Sequence, residues 1–337
     1  MYFFRNDYSE GALPQVLEAL NHTNNLSTVG YGLDPFCAEA ASMIRSRFGC
    51  PGADVHFLMG GTQVNLTAIS AFLRPWEAVI AADTGHIAVH ETGSIEATGH
   101  KVCTTPSSDG KLKPEQIRAV CEAHTDEHMV RPKLVYISNS TELGTVYSRR
   151  ELEALSEVCR SLGLFLYLDG ARLAVSLDAG DLTPEDLPRL CDAFYIGGTK
   201  NGLLFGEALV VVRDEWKTGF RYAIKQRGGM LAKGRLLGVQ FQALMRDDLW
   251  LQSAAHANKM AARLRKGLAA LQIPVAVNSP TNQLFPILSN IKMEELARSF
   301  SFEVWDRPDP AHSTVRFVTS WATPEENVDA LLDALRV

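Results

Sequence analysis

The stretch AFYIGGTKNG, residues 193–202, joins a short apolar run to two glycines and then presents one lysine, Lys200. Such an apolar run is typical of a buried strand, and the small residues near Lys200 keep bulk away from it. Taking an ammonium group out of water costs several kcal/mol. A lysine at the end of a buried strand therefore needs a chemical reason.

Six further apolar runs of strand length lie between residues 54 and 212, and helical patterns separate most of them. They are DVHFLM (54–59), EAVIAA (77–82), HKVCTT (100–105), KLVYISN (133–139), LFLYLD (164–169) and EALVVV (207–212). Ser148 and Glu151 form a capping box at the start of one helix, and Gly163 ends that helix. Strands separated by helices predict an α/β fold with a mainly parallel sheet covered on both faces.

The last third of the chain changes character. A helical pattern over residues 253–271 is followed by four short runs that predict strands: VAV (275–277), QLFPIL (283–288), FEVW (302–305) and VRFVTS (315–320). Because single cores stop growing at roughly 250–300 residues, we predict two domains. Residues 1–252 would form an N-terminal arm and a large domain, and residues 253–337 a small α+β domain.

Composition excludes several classes of function. The net charge is −6, from 33 Lys+Arg and 39 Asp+Glu, without a dense basic cluster, so nucleic acid and anionic membranes are not expected partners. The six cysteines are scattered, without C-x-x-C pairs or zinc spacing, which favours reduced thiols, a cytoplasmic protein and no metal site. The first residues lack the apolar core of a signal peptide, and no stretch predicts a membrane span.

Polar or small residues follow four of the predicted strands. Asp169 ends LFLYLD, Lys200 follows AFYIGG, His86 follows EAVIAA, and Gly60, Gly61 and Thr62 follow DVHFLM at the start of a helix. Because ligands gather at the carboxyl ends of strands in such sheets, we expect these residues to meet. Singly, each has a simpler interpretation: a tight turn, a structural histidine, or an ion pair of Asp169 with Arg172.

Together these residues fit one cofactor, pyridoxal 5′-phosphate. That cofactor needs a lysine for a covalent linkage, a carboxylate for its ring nitrogen, an anion site for its phosphate and a flat side chain over its ring. Lys200, Asp169, the Gly61–Thr62 turn and His86 would fill these roles in that order. Backbone N–H groups and the helix dipole at the turn attract an anion.

The chain resembles the threonine aldolase / aromatic amino acid β-eliminating lyase family of the PLP-dependent transferase-like fold (fold type I). It is especially similar to the L-allo-threonine aldolase-like branch. The matching segments include FRNDYSEGA (4–12), VGYGLDP (29–35), GHIAVHETGSIEATGHKV (85–102), LFLYLDGARL (164–173) and FYIGGTKNG (194–202). The resemblance implies retro-aldol cleavage of β-hydroxy-α-amino acids such as L-threonine and L-allo-threonine, and a homo-oligomer, dimer or tetramer, with shared active sites.

The resemblance also implies roles for residues at matching positions. Thr199 and Arg172 would contact the cofactor, and Arg172 and Arg316 would hold the substrate carboxylate. His128 would be a second active-site histidine. Across a subunit interface, Tyr31 would reach a neighbouring site, and either Lys225 or Arg227 would lend a cation to the phosphate. The chain departs from the commoner family pattern at two positions. Asn6 replaces a serine near the substrate carboxylate, and Glu142 replaces a histidine, which leaves the natural substrate and the stereochemical preference open.

Several alternatives remain at this stage. The general base can be His86, His128 or a water held by either. The same cofactor also supports elimination from aromatic amino acids, racemisation and transamination. A dinucleotide-binding oxidoreductase is disfavoured because GGTQVN stands where G-x-G-x-x-G is expected. A non-catalytic binding module would not need Lys200, Asp169 and both arginines together.

Overall fold

A mixed, mainly parallel sheet occupies the centre of the larger part of the computed structural model, which describes residues 1–336. The strands of the chain are β1 (Tyr2–Phe3), β2 (Asp54–Leu58), β3 (Glu77–Ala82), β4 (Val102–Thr105), β5 (Arg131–Ser138), β6 (Phe165–Asp169), β7 (Ala193–Gly197), β8 (Glu207–Val211), β9 (Gln283–Leu284), β10 (Ile287–Ser289), β11 (Phe300–Ser301), β12 (Glu303–Asp309) and β13 (His312–Val318). The large sheet has the order β2-β8-β7-β6-β5-β3-β4, in which β8 runs antiparallel to both of its neighbours. All seven strands predicted between residues 54 and 212 are confirmed.

Helices cover both faces of this sheet and build the second part of the chain. They are α1 (Pro14–Thr23), α2 (Pro35–Arg47), α3 (Gly61–Phe72), α4 (His86–Val89), α5 (Pro114–Ala123), α6 (Arg149–Leu162), α7 (Leu173–Ala179), α8 (Asp186–Leu190), α9 (Phe220–Gln226), α10 (Arg235–Met245), α11 (Leu249–Ala270), α12 (Asn290–Leu296) and α13 (Glu325–Arg336). Short 3₁₀ turns lie at Glu96–Thr98, Thr199–Asn201, Asp214–Trp216 and Arg246–Asp248. The predicted capping box starts α6, and Gly163 ends that helix in the left-handed conformation at φ 65°.

Successive side chains of the strands pack into two separate apolar cores, one on each face of the sheet. In β6, Leu166 and Leu168 pack into the core on one face of the sheet, while Phe165 and Tyr167 pack into the core on the other face. Both faces of a sheet with helices on each side must be apolar, which is why its strands appear in the sequence as continuous apolar runs. The fold is therefore the predicted α/β type.

A third core belongs to the C-terminal part, where β13 pairs with β9, β10 and β12. The N-terminal arm joins this part, because β1 pairs with β11 and Phe4 is completely buried in the third core. Two strand predictions were inexact. VAV forms only an isolated bridge between Val275 and Pro286, and QLFPIL is divided at Pro286 into β9 and β10, since proline cannot donate to a ladder.

Helix α11 runs from the first core to the third. Trp250 and Ala254 near its start pack with the sheet, and Met260 and Leu264 pack with the C-terminal strands. The predicted boundary after residue 252 lies inside this helix, and the division into domains stays a prediction. Within residues 1–336, no helix combines the length and the hydropathy needed to cross a bilayer.

Candidate active site

The strand register places the predicted site residues at one edge of the large sheet. Ser138 at the end of β5 lies beside Asp169 at the end of β6, and Glu207 at the start of the antiparallel β8 lies between Leu58 and Gly197. The turns that carry Gly60, His86 and Lys200 leave the sheet at this same edge. The structure therefore brings together four elements that are far apart in sequence.

Asp169 is a buried carboxylate held by neutral donors. Its Oδ2 accepts hydrogen bonds from the Tyr136 hydroxyl at 2.6 Å and from Asn65 Nδ2 at 3.0 Å, and its Oδ1 accepts from the Ala171 N–H at 3.0 Å. Burial alone would raise the pKa of Asp169, but the nearby His86 and these hydrogen bonds lower it overall. Among the described residues no Lys or Arg forms an ion pair with it, so the buried negative charge of Asp169 is not compensated by a cation.

His86 starts α4 and is oriented from two sides by carboxylates. Its Nδ1 lies 2.8 Å from Glu91 Oε1, and its backbone N–H donates to Glu142 Oε1 at 2.9 Å. Asn65 Nδ2 also donates to Glu91 Oε1, at 2.8 Å, which links this pair to Asp169. The ring of His86 is therefore fixed in place while about a third of its side chain stays exposed.

Lys200 lies in the 3₁₀ turn after β7 and is half-buried. Its Nζ is 5.9 Å from the centre of the Tyr8 ring, and no carboxylate among residues 1–336 forms an ion pair with it. Burial and the positive charge of Arg172 lower the pKa of Lys200 from its ordinary value of 10.5. A lowered pKa increases the fraction of free amine, the form that attacks a carbonyl carbon.

The turn before α3 has the form of an anion site. Gly60 caps the helix in an extended conformation, and a Cβ built on it would meet nothing within 4 Å. Gln63 Nε2 donates to the backbone oxygen of Arg227 at 3.4 Å, and the Nε of Arg227 is buried without a partner among the described residues. Thr62 is exposed beside this turn. Unpaired N–H groups at a helix N-terminus suit a phosphate.

Glu207 holds the turn that carries Lys200. Its Oε2 accepts from the Gly198 N–H at 2.9 Å, and the Thr199 hydroxyl accepts from the Gly206 N–H at 3.0 Å. Burial raises the pKa of Glu207 to about 7, against the opposing effects of these hydrogen bonds and of Lys200. This buried carboxyl was not predicted from the sequence.

Arg172 is paired, but not with the residue considered from the sequence. Its Nε and Nη2 donate to the two carboxylate oxygens of Asp7 at 2.7 and 2.9 Å, and Asp169 is not its partner. Burial raises the pKa of Asp7, but the charge of Arg172 and hydrogen bonds from Arg172 and Asn282 lower it overall. The arrangement leaves Nη1 of Arg172 without a hydrogen-bond partner within residues 1–336.

Arg316 on β13 lies near Arg172 and has its own support. Its Nη2 donates to Glu303, its guanidinium stacks 4.9 Å from the centre of the Trp305 ring, and its Nε is buried without a partner among the described residues. Burial and the charge of Arg172 lower the pKa of Arg316. Asn6, which precedes Asp7 in the chain, is buried, with its Oδ1 accepting from the Tyr8 N–H and the Ser9 hydroxyl.

Glu142 stands where the commoner family pattern has a histidine. Its Oε1 accepts from the Ser138 hydroxyl at 2.7 Å and from the His86 N–H. Burial raises the pKa of Glu142, with Asp169 adding to that effect. The substitution therefore supports the backbone of His86 instead of presenting a second imidazole.

Three predicted residues lie elsewhere. His128 is exposed in the loop before β5, at the strand end opposite Asp169, and β5 alone spans about 23 Å. The structure therefore does not bring His128 to the site of its own chain, and its role stays a prediction. Tyr31 and Lys225 instead contact each other, with the ammonium 4.8 Å from the ring centre, on an exposed part of the same chain.

The residues at the sheet edge fit pyridoxal 5′-phosphate. Asp169 is a buried charge without a cationic partner within residues 1–336, Lys200 is an amine with a lowered pKa, and Gly60 precedes a helix N-terminus with open space beside it. Within residues 1–336, no group of three or more His, Cys, Asp or Glu side chains is arranged to hold a metal ion.

Comparison with known proteins identifies the class. The chain belongs to the β-eliminating lyase family, whose pattern matches residues 4–290. It is a lyase of fold type I that depends on pyridoxal 5′-phosphate. The fold is shared with an aspartate aminotransferase from Thermus thermophilus at a TM-score of 0.74 and 17% identity, covering 100% of this chain and 91% of the other.

Two relatives are closer in sequence. A Leishmania major threonine aldolase structure is 50% identical with a TM-score of 0.99, covering 100% of this chain and 99% of that one. A low specificity L-threonine aldolase from a Pseudomonas species is 33% identical over 99% of this chain and 96% of its own. The family and the fold predicted from the sequence are thus confirmed.

Sequence reasoning missed several residues at the site. Asp7, Asn65, Glu91 and Glu207 are buried polar residues, and of these only Glu207 directly precedes an apolar strand run, ALVVV (208–212), which could have indicated its burial. His90 was missed as well, although its spacing of four from His86 puts both on one helical face.

Proposed function

We propose that this lyase cleaves β-hydroxy-α-amino acids to glycine and an aldehyde, with L-threonine and L-allo-threonine as substrates and acetaldehyde as the second product. The observation that carries the proposal is the meeting of Asp169, Lys200 and two arginines at one sheet edge. Similarity over nearly the whole chain to two threonine aldolases supports the reaction.

The cofactor would be held by residues of the sheet edge. Lys200 would hold it covalently, Asp169 would pair with its protonated ring nitrogen, and His86 would lie against its ring. The phosphate would take the N–H groups of the turn and two hydroxyl groups, supplied by Gly60, Gly61, Thr62 and Thr199. When bound, the cofactor supplies a ring that stabilises negative charge on the substrate's α-carbon.

Arg172 and Arg316 would bind the substrate carboxylate through the N–H groups that their carboxylate partners leave unused. The planar guanidinium suits this role because it donates in two directions at once. Asn6 would add an amide where relatives commonly have a hydroxyl. Holding the carboxylate fixes the rotation about Cα, and this rotation selects which bond of Cα breaks.

Asp7 is needed for this arrangement, since two arginines close together repel each other. Its carboxylate compensates Arg172, as Glu303 compensates Arg316. Each arginine is thereby held in a single orientation and remains charged. The pocket can then attract an anionic carboxylate without losing its shape when no substrate is present.

The same proposal includes a homo-oligomer, a dimer or a tetramer, with shared sites. Tyr31 and Lys225 form an exposed pair that would complete the site of a neighbouring copy, whereas the backbone oxygen of Arg227 accepts from Gln63 of its own chain. Mixing two inactive variants, Lys200→Ala and Lys225→Ala, would test this. Hybrids with one intact site should restore about a quarter of the wild-type activity, and no recovery would contradict sharing.

We also propose a cytoplasmic location, supported by the cysteines. All six lie within the described residues and are free thiols, five of them buried. Oxidising compartments favour disulfides, so free thiols fit a reducing one. Fractionation of the source cells would test this part of the proposal.

The reaction itself is tested by following aldehyde release from L-threonine and L-allo-threonine with the cofactor-loaded protein. Release of acetaldehyde together with an equal amount of glycine is the expected result. Pyruvate or ammonia from aromatic amino acids, without aldehyde, would instead indicate the eliminating activity after which the family is named. Lys200→Ala is the control and should lose the visible absorbance of the bound cofactor.

A further inference from the structure

His90 is a histidine at the site that no part of the proposed function uses. It follows α4 directly, and its backbone N–H donates to the His86 oxygen at 2.9 Å, so the two side chains project from one helical face. The centres of the two rings are 5.5 Å apart. His90 is more exposed than His86, which places it toward solvent from the ring of His86.

The other neighbours of His90 belong to the substrate side of the site. Its ring centre lies 6.2 Å from that of Trp305 on β12, and Trp305 carries the stacked guanidinium of Arg316 from β13. His90 thus stands between the histidine assigned to the cofactor ring and the arginine assigned to the substrate carboxylate. A substrate that touches both assigned groups must pass beside it.

The charges around His90 favour its neutral form. Burial lowers its pKa below the ordinary 6.5, and the positive charges of His86, Arg316 and Lys200 lower it further, while Glu303 acts in the opposite direction. The His90 ring has no hydrogen bond or ion pair with any residue between 1 and 336. His86 differs here, because Glu91 occupies its Nδ1. His90 is therefore an unengaged acceptor of protons at neutral pH.

We propose that His90 accepts the β-hydroxyl proton of the substrate and is the second active-site histidine of its own chain. The inference rests on the proposed function. The hydroxyl O–H bond breaks and its proton forms an N–H bond on His90. The oxygen electron pair forms the aldehyde C=O as the Cα–Cβ bond breaks. The electron pair left on Cα takes up a proton from solvent when glycine forms, and His90 releases its proton to solvent, so no net proton is gained or lost.

This assignment gives His90 the role of base for which the sequence alone considered His128. The sequence alone offered His86 and His128 as candidates for the base, and the structure puts His128 at the other end of β5. His90 lies beside His86 and Trp305, and its lowered pKa favours the unprotonated form that a general base needs near neutral pH.

Two variants of His90 test the assignment. His90→Asn removes the base, and His90→Phe keeps a ring against Trp305 but cannot take a proton. For both we expect kcat with L-allo-threonine to fall by about 100-fold or more. The visible spectrum of the cofactor and the affinity for glycine, measured by spectral titration, should stay within about threefold, because glycine has no hydroxyl. His22→Asn, on the exposed face of α1, is the matched control.

The pH profile gives a separate readout. In the wild type, kcat/KM should rise with pH through a limb below pH 6.5 and then level off, and both His90 variants should lose this limb. His90 variants with wild-type kcat, or a loss of the limb in His128→Asn alone, would overturn the assignment of His90. A wild-type protein that binds cofactor and glycine but releases no aldehyde would overturn the proposed function, and the substrate assigned to His90 with it.

Discussion

Asp7 and Arg172 form a two-point ion pair across 165 positions of sequence, with Asp7 almost completely buried and Arg172 only 11% exposed. The pair connects the N-terminal arm to the start of α7, just after β6. Asn282 from the C-terminal part donates to the same carboxylate at 3.0 Å. One carboxylate therefore holds three separate segments of the chain at the site.

Replacing Asp7 should destabilise the fold. Asp7→Asn leaves Arg172 buried without its counter-charge, and breaking a buried pair in this way costs about 3–5 kcal/mol. Denaturant unfolding of the purified variant measures this loss. Asp214→Asn is the control, because Asp214 is 95% exposed and pairs on the surface, where the expected change is about 1 kcal/mol or less. Equal free energies of unfolding for the two variants would show that the Asp7–Arg172 pair does not stabilise the fold.

Arg316→Lys should raise KM for amino acids while leaving the cofactor spectrum unchanged. Lysine keeps the charge but loses the planar donor set, and a hydrogen bond to a charged group contributes about 1.5–3 kcal/mol. The expected rise in KM is therefore at least about tenfold. Arg307→Lys, an exposed position on β12, should leave KM as it is. An unchanged KM in Arg316→Lys would remove this arginine from substrate binding.

Glu207 should make the stability of the protein depend on pH. Folded Glu207 keeps its proton up to about pH 7, whereas the unfolded chain releases it near 4.5. The folded state thus holds the extra proton between these values, and the stability that it contributes falls as pH rises. Glu207→Gln, which stays neutral, should match the wild type near pH 4.5 and exceed it by on the order of 3 kcal/mol at pH 8.

Thermal unfolding from pH 4.5 to 8 measures this difference, with Glu215→Gln at an exposed position as the control. A constant offset between wild type and Glu207→Gln across that range would mean that Glu207 is ionised throughout.

Gly61→Ala should destabilise the turn before α3. A Cβ at Gly61 would lie 2.8 Å from the hydroxyl oxygen of Tyr195, which is buried and cannot move aside. Overpacking of this kind costs about 1–3 kcal/mol. Gly60→Ala is the matched control, because its Cβ meets nothing within 4 Å and its φ of −168° is open to any residue. Unfolding of the cofactor-free proteins compares the two, and equal stability would contradict the steric argument.

The large sheet and the residues at its strand ends could be predicted because both depend on local pattern. Continuous apolar runs reveal strands buried on two faces, and the residue after such a run must lie at the sheet edge. Asp169, His86 and Lys200 were found in this way. The C-terminal strands were less clear, since they are short and one run is interrupted by Pro286.

The partners of these residues could not be predicted, because they come from distant segments. Nothing near Arg172 in the sequence indicates Asp7 as its ion-pair partner, and Asp169 was considered instead because it is close to Arg172 in sequence. The position of His128 could not be predicted either, since a match in sequence does not state at which end of β5 the residue lies. The Asn65–Glu91 contact likewise joins a helix after β2 to a segment after β3.

The pairing of β1 with β11 joins Tyr2–Phe3 to Phe300–Ser301, and Phe4 then enters the third core. During synthesis the arm that carries Asp7 must wait until some 300 residues have been translated before its docking partners exist. The strands around Lys200 are all translated by residue 211, so the large sheet can assemble before the arm takes up its final pairing with β11.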